Sequence, residues 1–599
     1  MELRYKMFDT LMEQIEAFGV QTDRNNANVS NNFSAKMLRI ASEANKVQNL
    51  LNMSKELREA HVNGDIYYHD LDSYNLTVNC LHVDLKKVLD RGFNTGYGYI
   101  RKPKDIRTAS HLMCIIIQSV QNDQYGGVSI TDFENDLACY VNDHDSDYDI
   151  RQAMQGIVYN LNTMACRAGS QVPFSSVNVG LPRSNIASKI LKIFLEEYNK
   201  GLGHGEPAIF PNIIFRVKDG VNAKQEDPYY KLYKLACEVS AKRMNPTYLN
   251  LDNTINKDMY ERGYNPCTMG CRTRVQEDVN GEPFTGGRGN IAPCTINLPR
   301  IAIESNKDIN VFFYLLNEKI SLAKDALLHR YSVLKNRKVR DLPFIVGENI
   351  WRYTDNLSLD DSIEPILKHG TYGIGFIGLA ETLIYLIGKH HGESKEAQEL
   401  GIKIVSEIRR MCDQFKKEYK LNFSCYATPA EGLSGQFIVL DKEKYGVIPG
   451  VTDKDYYTNS YHVPVYYMTS ITNKLSIEAP YHNLCNGGHI SYIELDNYPQ
   501  GEDIMNIVNF GRSKDIGYMG INFHIRYCTN CYEYLSGYEN HCHECGCDKI
   551  QGVSRVTGYM SFDERFGKGK VAERADRSSD RVKGFYNNKY IQRGTTINK

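Results

Sequence analysis

Apolar residues recur every three or four positions near the start of the chain. Met7, Phe8, Leu11, Met12 and Ile15 form one such face, and Met37, Ile40 and Ala41 another. This is the spacing of an amphipathic helix, so residues 1–60 are expected to form an N-terminal helical segment. From 61 to 510 the pattern changes. Continuous apolar runs such as Ile209-Phe210-Pro211-Asn212-Ile213-Ile214-Phe215 alternate with helical spacing. Leu232, Leu235, Ala236 and Val239 show that spacing, as do Leu400, Ile404, Val405 and Ile408. Such alternation predicts an α/β fold around a buried sheet. Residues 511–550 are rich in Cys and Tyr, and 551–599 form a charged tail. The longest apolar stretch, 373–388, is short, is broken by glycines and carries Glu381, so no membrane span is expected. Gly373, Gly375 and Gly378 match a dinucleotide-binding glycine pattern. The preceding Leu367-Lys368-His369-Gly370 does not read as the strand that such a site needs, so close helix packing is their expected use.

Composition narrows the class. The chain has 599 residues and a formal net charge of −1, so no global field favours nucleic acid or an anionic membrane. The first residues carry no signal-peptide core. The 16 cysteines are spread through the chain, which points to a reducing cytoplasm and not to a disulfide framework.

Cysteine spacing carries the first chemistry. Cys528-Thr529-Asn530-Cys531 and Cys542-His543-Glu544-Cys545 are two C-x-x-C pairs. Two such turns can present four thiolates to one tetrahedral zinc. His541, His543 and Cys547 are alternative ligands. Gly546 fits a knuckle turn that needs positive φ. Directly afterwards comes Ser554-Arg555-Val556-Thr557-Gly558-Tyr559, which reads as a glycyl-radical motif. A glycine Cα has no side chain, so it can become planar and share an unpaired electron with both flanking peptides. Arg581-Val582-Lys583-Gly584-Phe585 is a competitor. Gly558 is preferred for its neighbour Tyr559 and its closeness to the cysteines, and the segment from about Ser578 reads as a terminal extension.

Further stretches match in order: Glu59 to Asp72, Gln171 to Asn178, Met269-Gly270-Cys271-Arg272-Thr273, Gly287 to Ile291, Thr295 to Arg300, Thr428-Pro429-Ala430-Glu431, Tyr457 to Pro464, and Asn486-Gly487-Gly488-His489. With the C-terminal cluster, they make the chain resemble the anaerobic (class III) ribonucleoside-triphosphate reductases, particularly the short T-even-phage type. The resemblance implies a ten-stranded α/β barrel of two parallel half-barrels with a central finger loop around 265–275, spanning 61–510. It also implies a zinc region at 511–550 and a glycyl-radical loop and tail at 551–599. An N-terminal ATP cone is not expected, nor is inhibition by dATP through one.

The resemblance also implies roles. Cys271 is the thiyl residue at a loop tip, with Gly270 easing the turn and Met269 packing beside it; Cys294 is read as a buried neighbour, and a disulfide from Cys267, four residues before Cys271, would block radical transfer. Cys80 is the second thiol, and Asn79 beside it can bond the ribose hydroxyls or the reductant. Ser175, Ser176, Thr428, Gly487 and Gly488 are candidates for binding substrate phosphates through backbone N–H groups or helix N-termini. The expected reactants are ribonucleoside triphosphates and formate. The expected partners are a radical-SAM iron–sulfur activase, dNTP or ATP specificity effectors and a second copy of the chain. The expected compartment is the cytoplasm, or the host cytoplasm if a virus encodes the chain. Two rival readings fit less well. A lyase-type glycyl enzyme needs adjacent cysteines, and none occur. A nucleic-acid-binding zinc ribbon needs a basic face.

Overall fold

A computed structural model describes residues 32–577 except 276, 497 and 536–539. The first apolar face (Met7 to Ile15), the Gly584 motif and the terminal extension lie outside the described residues. The second face lies in the helix Phe33–Asn52, which is capped by the Asn32 side chain and followed by the helix Lys55–Val62.

The sheet is built from ten strands and closes on itself. Five of them run parallel in the order Cys80–Val83, Val128–Ile130, Ser175–Val179, Asn212–Val217 and Thr247–Asn250. A second parallel set joins Arg288–Asn297, Thr371–Ile377 and Asn422–Ala427. Ser491–Glu494 and Tyr518–Asn522 are also parallel to each other. The two sets meet antiparallel at Cys80–Val83 against Arg288–Asn297 and at Thr247–Asn250 against Tyr518–Asn522. The remaining gap is bridged just before Ser491, where Gly488 pairs in parallel with Tyr426. Gly487 N–H donates to Cys425 O at 2.8 Å and Ala427 N–H donates to Gly488 O at 3.0 Å. Closure removes both sheet edges. The result is the expected barrel of two parallel halves, with Ile66–Tyr68 added as a short antiparallel flank on Arg288–Asn297.

Parallel neighbours need crossover connections, and helices supply them. The run around Ile213 becomes Asn212–Val217, and the helix Tyr230–Arg243 then leads to Thr247–Asn250. Ile213, Phe215 and Val217 pack with Tyr233, Ala236 and Val239 in one core between sheet and helices. The barrel interior is more polar. Ser175, Ser176 and Asn178 on one strand are all buried, and buried polar groups demand partners. Ser176 and Asn178 find partners on the loop between Glu261 and Arg288, which enters the barrel.

Three expectations need correction. Gly373 and Gly375 lie inside the strand Thr371–Ile377 and not in helix packing. A Cβ on Gly373 would press on Tyr426 Cβ at 3.3 Å, and one on Gly375 would meet Thr295 Oγ1 at 3.0 Å. Only Gly378, at φ +77°, begins a helix and packs tightly on Pro299. The boundary at 510 falls inside the barrel, because Tyr518–Asn522 is a barrel strand. Its few residues were masked by the Cys- and Tyr-rich composition around them. Residues 511–550 and 551–599 are not separate units either. Ile525–Cys528, Ile550–Arg555 and Met560–Phe562 form one antiparallel sheet across that boundary.

Candidate active site

Two loop tips meet inside the barrel. The first carries Met269, Gly270 and Cys271. Its turn is closed by Arg272 N–H donating to Met269 O at 2.8 Å and Met269 N–H donating to Thr273 O at 3.1 Å. One side of the loop is held by the first half-barrel: Gly270 N–H donates to Ser176 Oγ at 3.1 Å, and Asn178 Nδ2 donates to Thr268 O at 3.1 Å. The other side is held by the second half, where Thr273 bridges to Gly488 and Arg274 N–H donates to Gly487 O at 3.0 Å. The loop therefore threads between the halves.

The turn's left-handed residue is Arg272 at φ +83°, and Gly270 is not among the positive-φ glycines. Gly270 is required for space instead. A Cβ there would lie 2.7 to 2.8 Å from three Asn212 side-chain atoms.

The second tip carries Gly558. It is a turn between Ile550–Arg555 and Met560–Phe562, closed by Val556 N–H donating to Tyr559 O at 2.9 Å. A Cβ on Gly558 would lie 2.7 Å from Cys271 N and closer still to Cys271 Cα and Gly270 O. No other residue type fits there without displacing backbone. Arg555, fully buried, donates to Met244 O at 2.6 Å and to Asn522 Oδ1 at 2.9 Å, which ties the hairpin to the barrel. Tyr559 stacks edge-on to Phe174 at 4.4 Å, and its hydroxyl donates to Glu431 Oε2 at 2.7 Å.

The two sulfurs named in the sequence are neighbours here. Hydrogen bonding between Cys80 and Cys271 pushes the Cys80 thiol up and the Cys271 thiol down, with the Thr273 hydroxyl and burial as further influences. Cys271 Sγ lies 3.3 Å from Thr273 Oγ1, which lies 2.9 Å from the Tyr426 hydroxyl. Cys80 Sγ donates to Asn79 Oδ1 at 2.9 Å. Gly126 lets these side chains in, since a Cβ there would meet Cys80 Sγ at 2.6 Å. Met269 is buried, with Sδ near Gly127. Cys267 donates to Thr131 O at 3.2 Å and Cys294 is buried in the core.

The phosphate candidates divide. Thr428 to Glu431 precede the helix Leu433–Tyr445, so they stand at a helix N-terminus. Ser175 and Ser176 lie within a strand, and Gly487 and Gly488 follow the C-terminal end of the helix Ile471–Leu484. These four cannot use a helix dipole. Ser176 props the Cys271 loop and the glycines close the barrel, while Ser175 Oγ has no hydrogen-bond partner in the protein.

Sequence reading gave no role to Asn212 or Tyr426, and took Glu431 only as part of the Thr428–Glu431 turn. The Asn212 amide is buried with neither polar atom paired; its signal was a lone amide within an apolar run. Burial pushes the Glu431 carboxyl up to about 8, against the lowering effect of the Tyr559 hydroxyl and Lys570.

At the far end of the three-stranded sheet sit Cys528, Cys531, Cys542 and Cys545. Their sulfurs all lie within 4.8 Å of one another, with Cys528–Cys545 at 3.6 Å and Cys531–Cys542 at 3.5 Å. A zinc tetrahedron with bonds of about 2.3 Å has sulfur–sulfur edges of about 3.8 Å, so the four fit zinc. Among the described residues, His541, His543 and Cys547 are not in that cluster. Gly546 adopts φ +69°, as the knuckle turn requires. The strand Ile550–Arg555 leads from this knuckle to the Gly558 turn.

Comparison with known proteins is decisive. The family model described as anaerobic ribonucleoside-triphosphate reductase matches residues 25–579. The chain belongs to the anaerobic ribonucleoside-triphosphate reductase family. The reductase of that name from Salmonella typhimurium is 36% identical over 562 residues, covering 87% of this chain and 78% of the relative. The Enterobacteria phage T4 reductase is 32% identical over 560 residues, covering 86% and 90%. An anaerobic ribonucleotide reductase from Thermotoga maritima, solved with dATP in its specificity site, shares the fold with a TM-score of 0.73 at 18% identity, covering 94% of this chain and 96% of that one. A glycerol dehydratase from Clostridium butyricum shares it at 0.65 and 12% identity, covering 92% and 85%. Anaerobic ribonucleoside-triphosphate reductases are oxidoreductases of the glycyl-radical class, and this chain is one of them. Among its described residues, no helix is long and apolar enough to cross a membrane.

Proposed function

We propose that Gly558 stores the radical and Cys271 uses it. The observation that carries this reading is the backbone contact between the two tips, where a Cβ on Gly558 would collide with Gly270 and Cys271. A hydrogen atom needs only to pass between adjacent groups, and contact of this kind replaces a bimolecular encounter. A radical-SAM activase takes a hydrogen from Gly558. With ribonucleoside triphosphate bound, Gly558 takes one from Cys271, and the Cys271 thiyl takes the ribose 3′-hydrogen. The 2′-hydroxyl leaves as water. Cys80, oriented by Asn79, returns a hydrogen, and Cys271 restores the 3′-hydrogen. Formate supplies the two electrons and leaves as carbon dioxide, so the balance is nucleotide, formate and a proton giving deoxynucleotide, carbon dioxide and water. Met269 packs beneath the tip. Thr428 and the helix N-terminus after it offer N–H donors to phosphate, with Ser175, Ser176, Gly487 and Gly488 as further residues around the substrate.

Zinc on the four cysteines would hold the base of the hairpin. The dATP- and CTP-bound Thermotoga maritima reductases support a nucleotide specificity site here as well, coupled to the active site. A homodimer in the cytoplasm, supplying deoxynucleotides for DNA synthesis without binding nucleic acid itself, completes the reading. The test is anaerobic activation with an activase, dithionite and S-adenosylmethionine, followed by electron paramagnetic resonance, exposure to air and mass spectrometry. A doublet signal and chain cleavage at Gly558 are expected. Cleavage at Gly584, or no radical under competent activation, would overturn the assignment.

A further inference from the structure

Beside the two tips lies a small cavity. It is lined by Arg272 from the finger loop, Thr557 from the glycine hairpin, Arg577 from the end of the last described helix, and His462 and Lys474 from the second half-barrel. The space open to the centre of a water-sized sphere is about 40 Å³, room for about three waters and far too little for a nucleotide. Its wall residues Arg272 and Thr557 are the immediate chain neighbours of Cys271 and Gly558.

Its polar groups are not satisfied by the protein. Arg272 is fully buried and its Nε has no hydrogen-bond partner, while Nη1 lies 3.4 Å from His462 Nε2 and the guanidinium sits 5.6 Å from the Tyr492 ring centre. Thr557 Oγ1 and Arg577 Nε are also buried without partners. Two carboxylates share the wall but are engaged elsewhere. Glu573 accepts from Asn459 at 3.2 Å, from Arg577 Nη2 at 3.1 Å and from Lys570, and Glu494 accepts from Asn522 Nδ2 at 2.8 Å. A buried guanidinium is costly unless charge and hydrogen bonds answer it. Arg272 is in addition held in the left-handed region, at φ +83°, which is strained for a residue with a side chain. Two guanidinium N–H groups and a hydroxyl without protein partners, all on residues that line one cavity, are donors that a bound anion would satisfy.

We infer that this cavity binds one small carboxylate, and that in turnover it holds formate beside the two loop tips. The ligand size follows from the volume, and the charge follows from Arg272. The second half of the inference rests on the proposed use of formate as reductant.

The test uses the full chain before activation, titrated with [13C]formate and followed by saturation-transfer NMR. Wild type is compared with Arg272→Lys, which keeps the charge but loses the guanidinium fork, and with Thr557→Val, which loses only the hydroxyl. Saturable formate binding is expected in wild type and at least tenfold weaker binding in both variants, with nucleoside triphosphate binding unchanged. No saturable binding in wild type, or equal binding in all three, would overturn the site. Release of 14CO2 from [14C]formate by activated enzyme separates the two claims. Release with an unchanged formate KM in both variants leaves formate as reductant and removes this cavity from its path. Variant-sensitive binding without release keeps a small-carboxylate site and removes formate as reductant.

Discussion

Replacing Gly270 by alanine tests the contact geometry without touching the radical glycine or the thiol. The new methyl would lie 2.7 Å from Asn212 Cγ and Nδ2 and 2.8 Å from its Cβ. Carbon contacts are comfortable near 3.5 Å, so something must move by about 0.7 Å. The Asn212 amide can turn, but its Cβ is fixed to a fully buried barrel strand. The loop tip therefore moves, and it moves relative to Gly558, which it already touches. Overpacking of this kind costs about 1–3 kcal/mol, and misplacing a reacting group by about 1 Å can cost about 100-fold in rate. Gly270→Ala should accept the Gly558 radical with a normal paramagnetic signal, yet turn over nucleotide about 30- to 100-fold more slowly. Single-turnover deoxynucleotide formation per radical is the measurement. Wild-type turnover with an unchanged melting temperature would refute the claim that the tip is fixed by steric contact.

Cys271→Ser should abolish turnover while the Gly558 radical still forms; a variant that cannot form the radical would contradict the roles given to the two residues. Glu431 supplies a pH test. Its folded pKa of about 8 exceeds its ordinary value of 4.5, so folding takes up a proton between these values and stability falls as pH rises through that window, levelling off above it. Glu431→Gln should remove that decline, worth roughly 2 kcal/mol between pH 6 and pH 8, and parallel melting curves for the two proteins across that range would contradict it. Stripping zinc with a chelator, or Cys545→Ser, should lower the radical yield while leaving the barrel's circular dichroism intact. A full radical signal from metal-free protein would show that the knuckle does not hold the Gly558 turn.

Some of this molecule was legible before any folding was considered. The four-cysteine cluster that fits zinc could be read because C-x-x-C is a local geometry, in which two thiolates three residues apart can face one metal. Helices such as Tyr230–Arg243 and Lys395–Tyr419 could be read because a 3.6-residue period is also local. The ordered motifs pointed to a barrel, to Cys271 and to Gly558.

What the tertiary structure alone decided are relations between residues far apart in the chain. Only closure of the sheet gives Gly487 and Gly488 their place, as backbone that joins the two edges at Tyr426 and not as the end of a helix dipole. Only threading of the loop shows that Gly270 is small because Asn212 is near, while Arg272 takes the left-handed turn. The glycines at 373 and 375 looked like a nucleotide loop or a helix contact, yet they are strand residues that make room for side chains from neighbouring strands. The strand Tyr518–Asn522 was hidden because a short, fully buried strand has no polar–apolar alternation to reveal it. Local spacing determines a ligand set or a helix, because the atoms involved are joined by a few bonds. Contact between Cys80, Cys271 and Gly558 depends on ten strands closing around one loop, and no local pattern encodes that distance.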